Sequence, residues 1–159
     1  GFMDLLSLGW IERLPRLIGV QAEGSAAIAN AYLAGKDTVD PVNAVTIADS
    51  ISVDLPRDGK RALRAVRETH GMFIKISDEE ILKSIATLGK VGIFVEPAAA
   101  AAYAGLVRAV ADGQQDPSAP ILVLCTGSGL KDINAAMRSV PAAPVIEPTI
   151  QALTKVIYG

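Results

Sequence analysis

Three stretches of the 159-residue chain combine hydroxyls, carboxylates and glycines at spacings able to do chemistry. One is Thr126-Gly127-Ser128-Gly129, between the apolar run Pro120 to Cys125 and a helical pattern with Leu130, Ile133 and Met137. A strand that feeds a glycine-rich turn and a helix start offers amide donors and a hydroxyl to a polar or anionic group. The same four residues also fit a tight turn whose glycines supply positive φ. Gly129-Leu130-Lys131-Asp132 lacks the Gly-Lys-Ser/Thr ending of a nucleotide P-loop, which argues against that chemistry. Another is Glu96, which ends the apolar run Val91 to Val95 and precedes Pro97. It reads either as an acid favourably placed at a helix N-terminus or as a carboxylate projecting into a cleft. The last is Thr46-Ile47-Ala48-Asp49-Ser50-Ile51, with two hydroxyls and a carboxylate amid apolar residues, which also fits a capped turn.

Other reactive types carry less. Cys125 abuts the glycine-rich turn but ends an apolar strand pattern, and reads as packing rather than as a nucleophile. His70 falls at a helix C-terminus, where a cation is favoured, and reads as structural. The lysines lie at loops and helix faces, none alone in an apolar pattern that would depress its pKa. With one cysteine and one histidine, a disulfide framework, a Cys-based zinc cage and a His-rich metal site are all excluded, and a reducing cytoplasm is expected. Fifteen basic and seventeen acidic residues, without basic clustering, argue against nucleic acid or an anionic membrane surface as partner. The longest apolar stretch, Val91 to Val107, is broken by Glu96 and Pro97, so no membrane span is expected.

The elements that must hold these residues alternate strand and helix. Half of the residues are hydrophobic and only 4% aromatic, so the core must come from Ala, Val, Ile and Leu. A mean hydropathy of +0.36 fits a folded chain. Expected strands are Leu17 to Ala22, Met72 to Ile76, Val91 to Val95 and Pro120 to Cys125. Expected helices run from a Ser25 cap to Gly35, from Lys60 to His70 with Gly71 as the stop, from Ser77 to Gly89 and from Pro97 to about Asp112. Ser77-Asp78-Glu79-Glu80 is a capping box. The run Ala98 to Ala102 reads as a close-packed helix face, and the tail from Ile150 as a peripheral helix. Continuous rather than alternating apolar strands imply cover on both faces, hence a three-layer α/β domain over residues 1–159 with a mostly parallel sheet. Ligands of such sheets sit at the carboxyl ends of strands, where Gln21-Ala22-Glu23-Gly24-Ser25, Glu96-Pro97-Ala98-Ala99 and Cys125-Thr126-Gly127-Ser128-Gly129 fall. The chain opens on a short helical stub, Phe2 to Leu8, ended by Gly9, which suggests the downstream part of a longer chain.

Taken in order, these stretches resemble the threonine synthases among the fold type II pyridoxal-phosphate enzymes. The resemblance rests on Leu8-Gly9-Trp10-Ile11, Leu14 to Gly24, Thr46 to Ile51, Pro56-Arg57-Asp58-Gly59, Gly92 to Ala100 and Thr126 to Asp132, and aligns with the family's C-terminal portion. It implies the large domain of the tryptophan synthase β-like fold and pyridoxal 5'-phosphate as cofactor. Thr126 would face the pyridine nitrogen, with Gly127, Ser128 and Gly129 around the ring edge. Glu96 would lie on the cofactor side of the sheet, and Thr46, Asp49 and Ser50 on the substrate cleft wall. The implied reaction converts O-phospho-L-homoserine and water to L-threonine and phosphate. The family's Schiff-base lysine and phosphate-cradling loop belong upstream, so this chain alone is expected to be inactive without its N-terminal half. No metal is expected, and uncovered apolar surface favours self-association, a homodimer included. Two alternatives stay open: a threonine or serine dehydratase or cysteate synthase of the same fold, and a non-catalytic module binding a small ligand or a partner chain.

Overall fold

The computed structural model describes residues 1–158. Its centre is one parallel strand pair, β1 (Ile18–Ala22) and β2 (Met72–Ile76), in register from Ile18 against Met72 to Ala22 against Ile76. The crossover between them contains α2 (Ala27–Leu33) and α3 (Gly59–Glu68). After β2 come α4 (Asp78–Lys90) and α5 (Pro97–Ala111), which pack on each other. A short α1 (Phe2–Ser7) precedes β1, while α6 (Ile133–Arg138) and α7 (Ile150–Tyr158) follow. Among the described residues no helix is long and apolar enough to cross a membrane.

Alternation along the strands divides the helices between two faces. Gly19, Gln21, Phe73 and Lys75 face α2. The Phe73 ring stacks at 5.4 Å on Tyr32, the Gln21 side chain accepts the Ala29 amide at 2.8 Å, and Lys75 reaches Asn30. Val20 and Ile74 face the other way, toward α5. The small residues of α5 let it approach closely: Ala99, Ala100, Ala101 and Ala104 are buried, and a Cβ on Gly105 would fall 2.2 Å from Val20. Ile76, Ile81, Ile85 and Leu88 complete this core. The alanine run is therefore the close-packed face expected, in a helix–sheet–helix sandwich.

Local details differ from expectation in instructive ways. The Ser77 capping box is present, Ser77 Oγ accepting the Glu80 amide at 3.2 Å while Glu80 accepts the Ser77 amide at 2.8 Å. Ser25, however, does not cap α2: its hydroxyl bonds the backbone of Ile51 and Val53 and ties the 51–53 loop down. Helix α4 runs through Gly89, and the left-handed position after it is Gly92 (φ 81°). At the end of α3 the left-handed residue is His70 (φ 52°) rather than Gly71. Gly71 is required for a different reason, since its Cβ would lie 1.9 Å from the Leu17 carbonyl oxygen.

Two expected strands are not formed. Residues 91–95 make a turn and a single antiparallel bridge, Val95 to Ser128, and Val91, Ile93 and Phe94 are exposed. Residues 120–125 carry no regular secondary structure, leaving Ile121, Leu122 (80% exposed) and Leu124 in solvent and Cys125 exposed rather than buried. Strand periodicity reports burial on both faces, but a ladder also needs a neighbour, and no strand lies beside either run among the described residues. The accessible surface is 10713 Å². A compact protein of this mass has roughly 7,600 Å².

Candidate functional site

The site forms where the loop before α5 meets the turn after residue 125. Pro97 occupies the first position of α5, and its ring drives Glu96 to an extended conformation (φ −73°, ψ 163°) as the N-cap. The Glu96 side chain does not cap its own helix. It turns inward, and the residue is only 6% exposed.

Two backbone bonds then fix the turn to this loop. The Glu96 amide donates to the Gly127 carbonyl at 3.1 Å, and the Gly129 amide donates to the Phe94 carbonyl at 3.1 Å. Both glycines lie in close contact. A Cβ on Gly127 would sit 1.8 Å from Glu96 Oε1, and one on Gly129 would sit 2.4 Å from the Phe94 ring. Neither has positive φ. These glycines therefore admit a carboxylate and an aromatic ring, rather than supplying a left-handed turn.

Beyond Gly129 the chain makes a single 3-10 turn, Gly129–Lys131, capped by Ser128 Oγ, which accepts the Leu130 amide at 3.3 Å. That turn brings Lys131 Nζ back to Glu96 Oε1 at 3.3 Å. Asp132 accepts the Ala135 amide at 2.9 Å and so starts α6. Asp49 and Ser50 arrive from the 3-10 turn Asp49–Ile51. With Glu96, Pro97, Ala98, Lys131 and Asp132 they enclose a cavity of about 360 Å³.

The residues singled out from sequence are thus partly brought together. Glu96, Asp49 and Ser50 share the cavity, and Gly127, Ser128 and Gly129 lie on the turn bound to Glu96. Thr126 stands one residue outside that clamp, exposed, and among the described residues its hydroxyl makes no hydrogen bond. Thr46 is directed elsewhere. Its hydroxyl donates to Asp78 Oδ1 at 2.5 Å, and Asp78 Oδ2 accepts the Ile47 amide at 3.1 Å, fastening this loop to the start of α4. Lys131 and Asp132 carry no role on sequence grounds. A signal is present, a lysine one helical turn beyond a glycine-rich strand end, but the partner 35 residues away is not visible in local spacing.

Charges elsewhere serve the frame. Glu80 Oε1 takes both Nε (3.0 Å) and Nη2 (2.7 Å) of Arg108, joining α4 to α5. Burial pushes the Glu80 carboxyl up, but the Ser77 amide and hydroxyl together with Arg108 outweigh it and hold the group below the usual carboxylate range. Cys125 is exposed, but partial desolvation by its surroundings still pushes the thiol up, which disfavours the thiolate a nucleophile needs. A larger groove of about 590 Å³ runs along α3, but its walls are a charged helix face with the pairs Arg67–Asp37 and Arg64–Glu68. Among the described residues no group of three or more His, Cys, Asp or Glu side chains is arranged to hold a metal ion.

Comparison with known proteins gives this geometry a family. The model of the family described as pyridoxal-phosphate dependent enzyme matches residues 1–127. Threonine synthase of Mycobacterium bovis is 36% identical over 143 residues, covering 89% of this chain and 38% of its own length. That of Methanocaldococcus jannaschii is 35% identical over 159 residues, covering 99% of this chain and 39% of its own length. The chain thus spans less than half of these relatives. Among solved structures, a fungal L-serine ammonia-lyase from Rhizomucor miehei aligns with a TM-score of 0.65 at 21% identity, over 86% of this chain and 44% of that one. A threonine deaminase from T.th. aligns with a TM-score of 0.51 at 21% identity, over 67% and 38%. At that identity the likeness establishes an α/β fold with a parallel sheet.

Proposed function

The chain belongs to the pyridoxal-phosphate dependent enzyme family, and from that premise we propose that it is the C-terminal portion of a threonine synthase. The family's cofactor is pyridoxal 5'-phosphate. Residues 1–159 would form one α/β unit of a longer cytoplasmic enzyme. That enzyme converts O-phospho-L-homoserine and water to L-threonine and inorganic phosphate: the γ-carbon–oxygen bond to phosphate breaks, and water supplies the β-hydroxyl. Relatives at 35–36% identity named threonine synthase favour this over elimination of ammonia from a hydroxyamino acid.

The observation that carries the reading is the free hydroxyl of Thr126, exposed beside a turn clamped at the head of α5. Its donor chemistry fits the cofactor's ring end, because one hydroxyl can accept from or donate to a ring nitrogen. When bound, the cofactor supplies an electron sink for bond changes at the β and γ carbons. Thr126 would hold the ring nitrogen without a formal charge, which would leave that sink softer than a carboxylate would. Gly127 and Gly129 keep the turn thin, and Glu96 supports it from beneath. Asp49 and Ser50 line the neighbouring cavity, where hydroxyl and carboxylate groups can orient the substrate's polar ends. The excess accessible surface supports burial of residues 121–124 against the rest of the longer protein.

Turnover tests it. The whole protein should release phosphate from O-phospho-L-homoserine with matching L-threonine, while residues 1–159 alone should show neither. Thr126→Val should weaken cofactor binding about threefold to tenfold and Thr126→Ser should restore it. Ammonia release from L-threonine or L-serine, without the phosphate reaction, would refute the assignment.

A further inference from the structure

We propose that Lys131 is a positioning residue whose ammonium, held on the buried Glu96 carboxylate, clamps the Thr126–Gly129 turn to the head of α5 and so sets where the Thr126 hydroxyl stands. The inference rests on reading Thr126 as the ring-nitrogen contact.

Three features converge. A carboxylate as buried as that of Glu96 is costly unless paired, and Lys131 is the cation on it among the described residues. The carboxylate is also pressed against Gly127, so closely that even a methyl group there would overlap Oε1. Gly127 and Lys131 thus hold the same carboxylate from two sides. Finally, the backbone of the same two segments is tied by the Glu96–Gly127 and Gly129–Phe94 bonds. Once unpaired, the carboxylate would turn toward water, and the turn in contact with it would have to move. Lys131 itself is 63% exposed, so the pair adds little as a bare attraction. Its consequence is geometric: it removes the reason for Glu96 to leave.

The 3-10 turn makes this contact local. Ser128 caps it, and the short path from Gly129 to Lys131 returns Nζ to the Glu96 carboxylate rather than out along α6. Displacing Lys131 therefore loosens the residues next to Thr126 while leaving β1, β2 and the α4–α5 core untouched.

The test uses Lys131→Met and Lys131→Arg. In this chain, hydrogen–deuterium exchange of the Glu96 and Gly129 amides should quicken on the order of tenfold in Lys131→Met and return toward the parent rate in Lys131→Arg. In the whole protein, titrated with pyridoxal 5'-phosphate, Lys131→Met should weaken binding and shift the cofactor absorption band in the direction given by Thr126→Val. Unchanged exchange in Lys131→Met overturns the clamp. Faster exchange with cofactor binding unaltered, while Thr126→Val weakens it, overturns the link from Lys131 to Thr126 and leaves the proposed function standing. If Thr126→Val also leaves cofactor binding unaltered, the functional reading fails and this inference falls with it.

Discussion

Glu96 and Gly127 are in contact so tight that the glycine's missing side chain is the space its neighbour's carboxylate occupies: an added Cβ would lie 1.8 Å from Oε1. This one relationship explains why the turn after residue 125 is glycine-rich and why the acid before α5 is buried. It also makes the turn and the helix head a single unit.

Gly127→Ala should therefore destabilise the chain by about 1–3 kcal/mol, read from urea unfolding. Most of that cost should disappear in the Glu96→Ala background, where the carboxylate is gone. A double-mutant cycle should give a coupling of about 0.5–3 kcal/mol. Additive effects would mean that the contact is not what constrains the glycine.

Gly105 offers a reversal of sign. Glycine to alanine inside a helix ordinarily stabilises by about 1 kcal/mol. Here the new methyl would meet Val20 Cγ2 at 2.2 Å, in the seam between α5 and β1. Gly105→Ala should lower stability by about 1–3 kcal/mol, and Val20→Ala in the same chain should relieve part of the loss in thermal melts.

Acid should loosen the joint between α4 and α5. The Glu80 carboxyl is held below its ordinary pKa, so the unfolded chain binds a proton more readily than the folded one. Its stabilising contribution is full above the unfolded value near pH 4.3 and fades as pH falls through the lower folded value. Glu80→Gln should flatten the acid limb of stability against pH relative to the parent. Ser77→Ala should cost about 1 kcal/mol at neutral pH by removing the helix cap.

The uncovered run 121–124 should respond in opposite ways in two settings. Leu122→Asp with Leu124→Asp should leave the unfolding free energy of this chain nearly unchanged and reduce its self-association in sedimentation, since both side chains are exposed. In the whole protein the same pair should be destabilising by about 2 kcal/mol or more, as burial of charge demands. Equal effects in both settings would mean that nothing covers this run.

Much of the frame is legible because it is written in local rules. The Ser77–Glu80 box, Pro97 at the first position of α5 and the alanine face of that helix depend on neighbours within a turn or two, and each forms as expected. The strands expected at 91–95 and 120–125 fail for a definite reason: apolar runs predict cover, but a ladder depends on which segments lie alongside. Ser25 departs from its expected cap because a hydroxyl near a helix start can equally bind a distant loop, here Ile51 and Val53. At the site, Glu96 and the Thr126–Gly129 turn stand out by type. Their pairing with Lys131, and the diversion of Thr46 to Asp78, are tertiary facts without a local signature.

The pairing of Ile18 with Met72 has a kinetic consequence. Parallel strands cannot zip from a hairpin, and β1 must wait for everything from α2 through α3 to be gathered before its first ladder bond can form. The α4–α5 pair, contiguous in sequence and joined by Glu80 and Arg108, faces no such delay. Refolding should thus begin at the C-terminal side of β2, and during synthesis the earlier strand would leave the ribosome well before the partner that shelters its backbone.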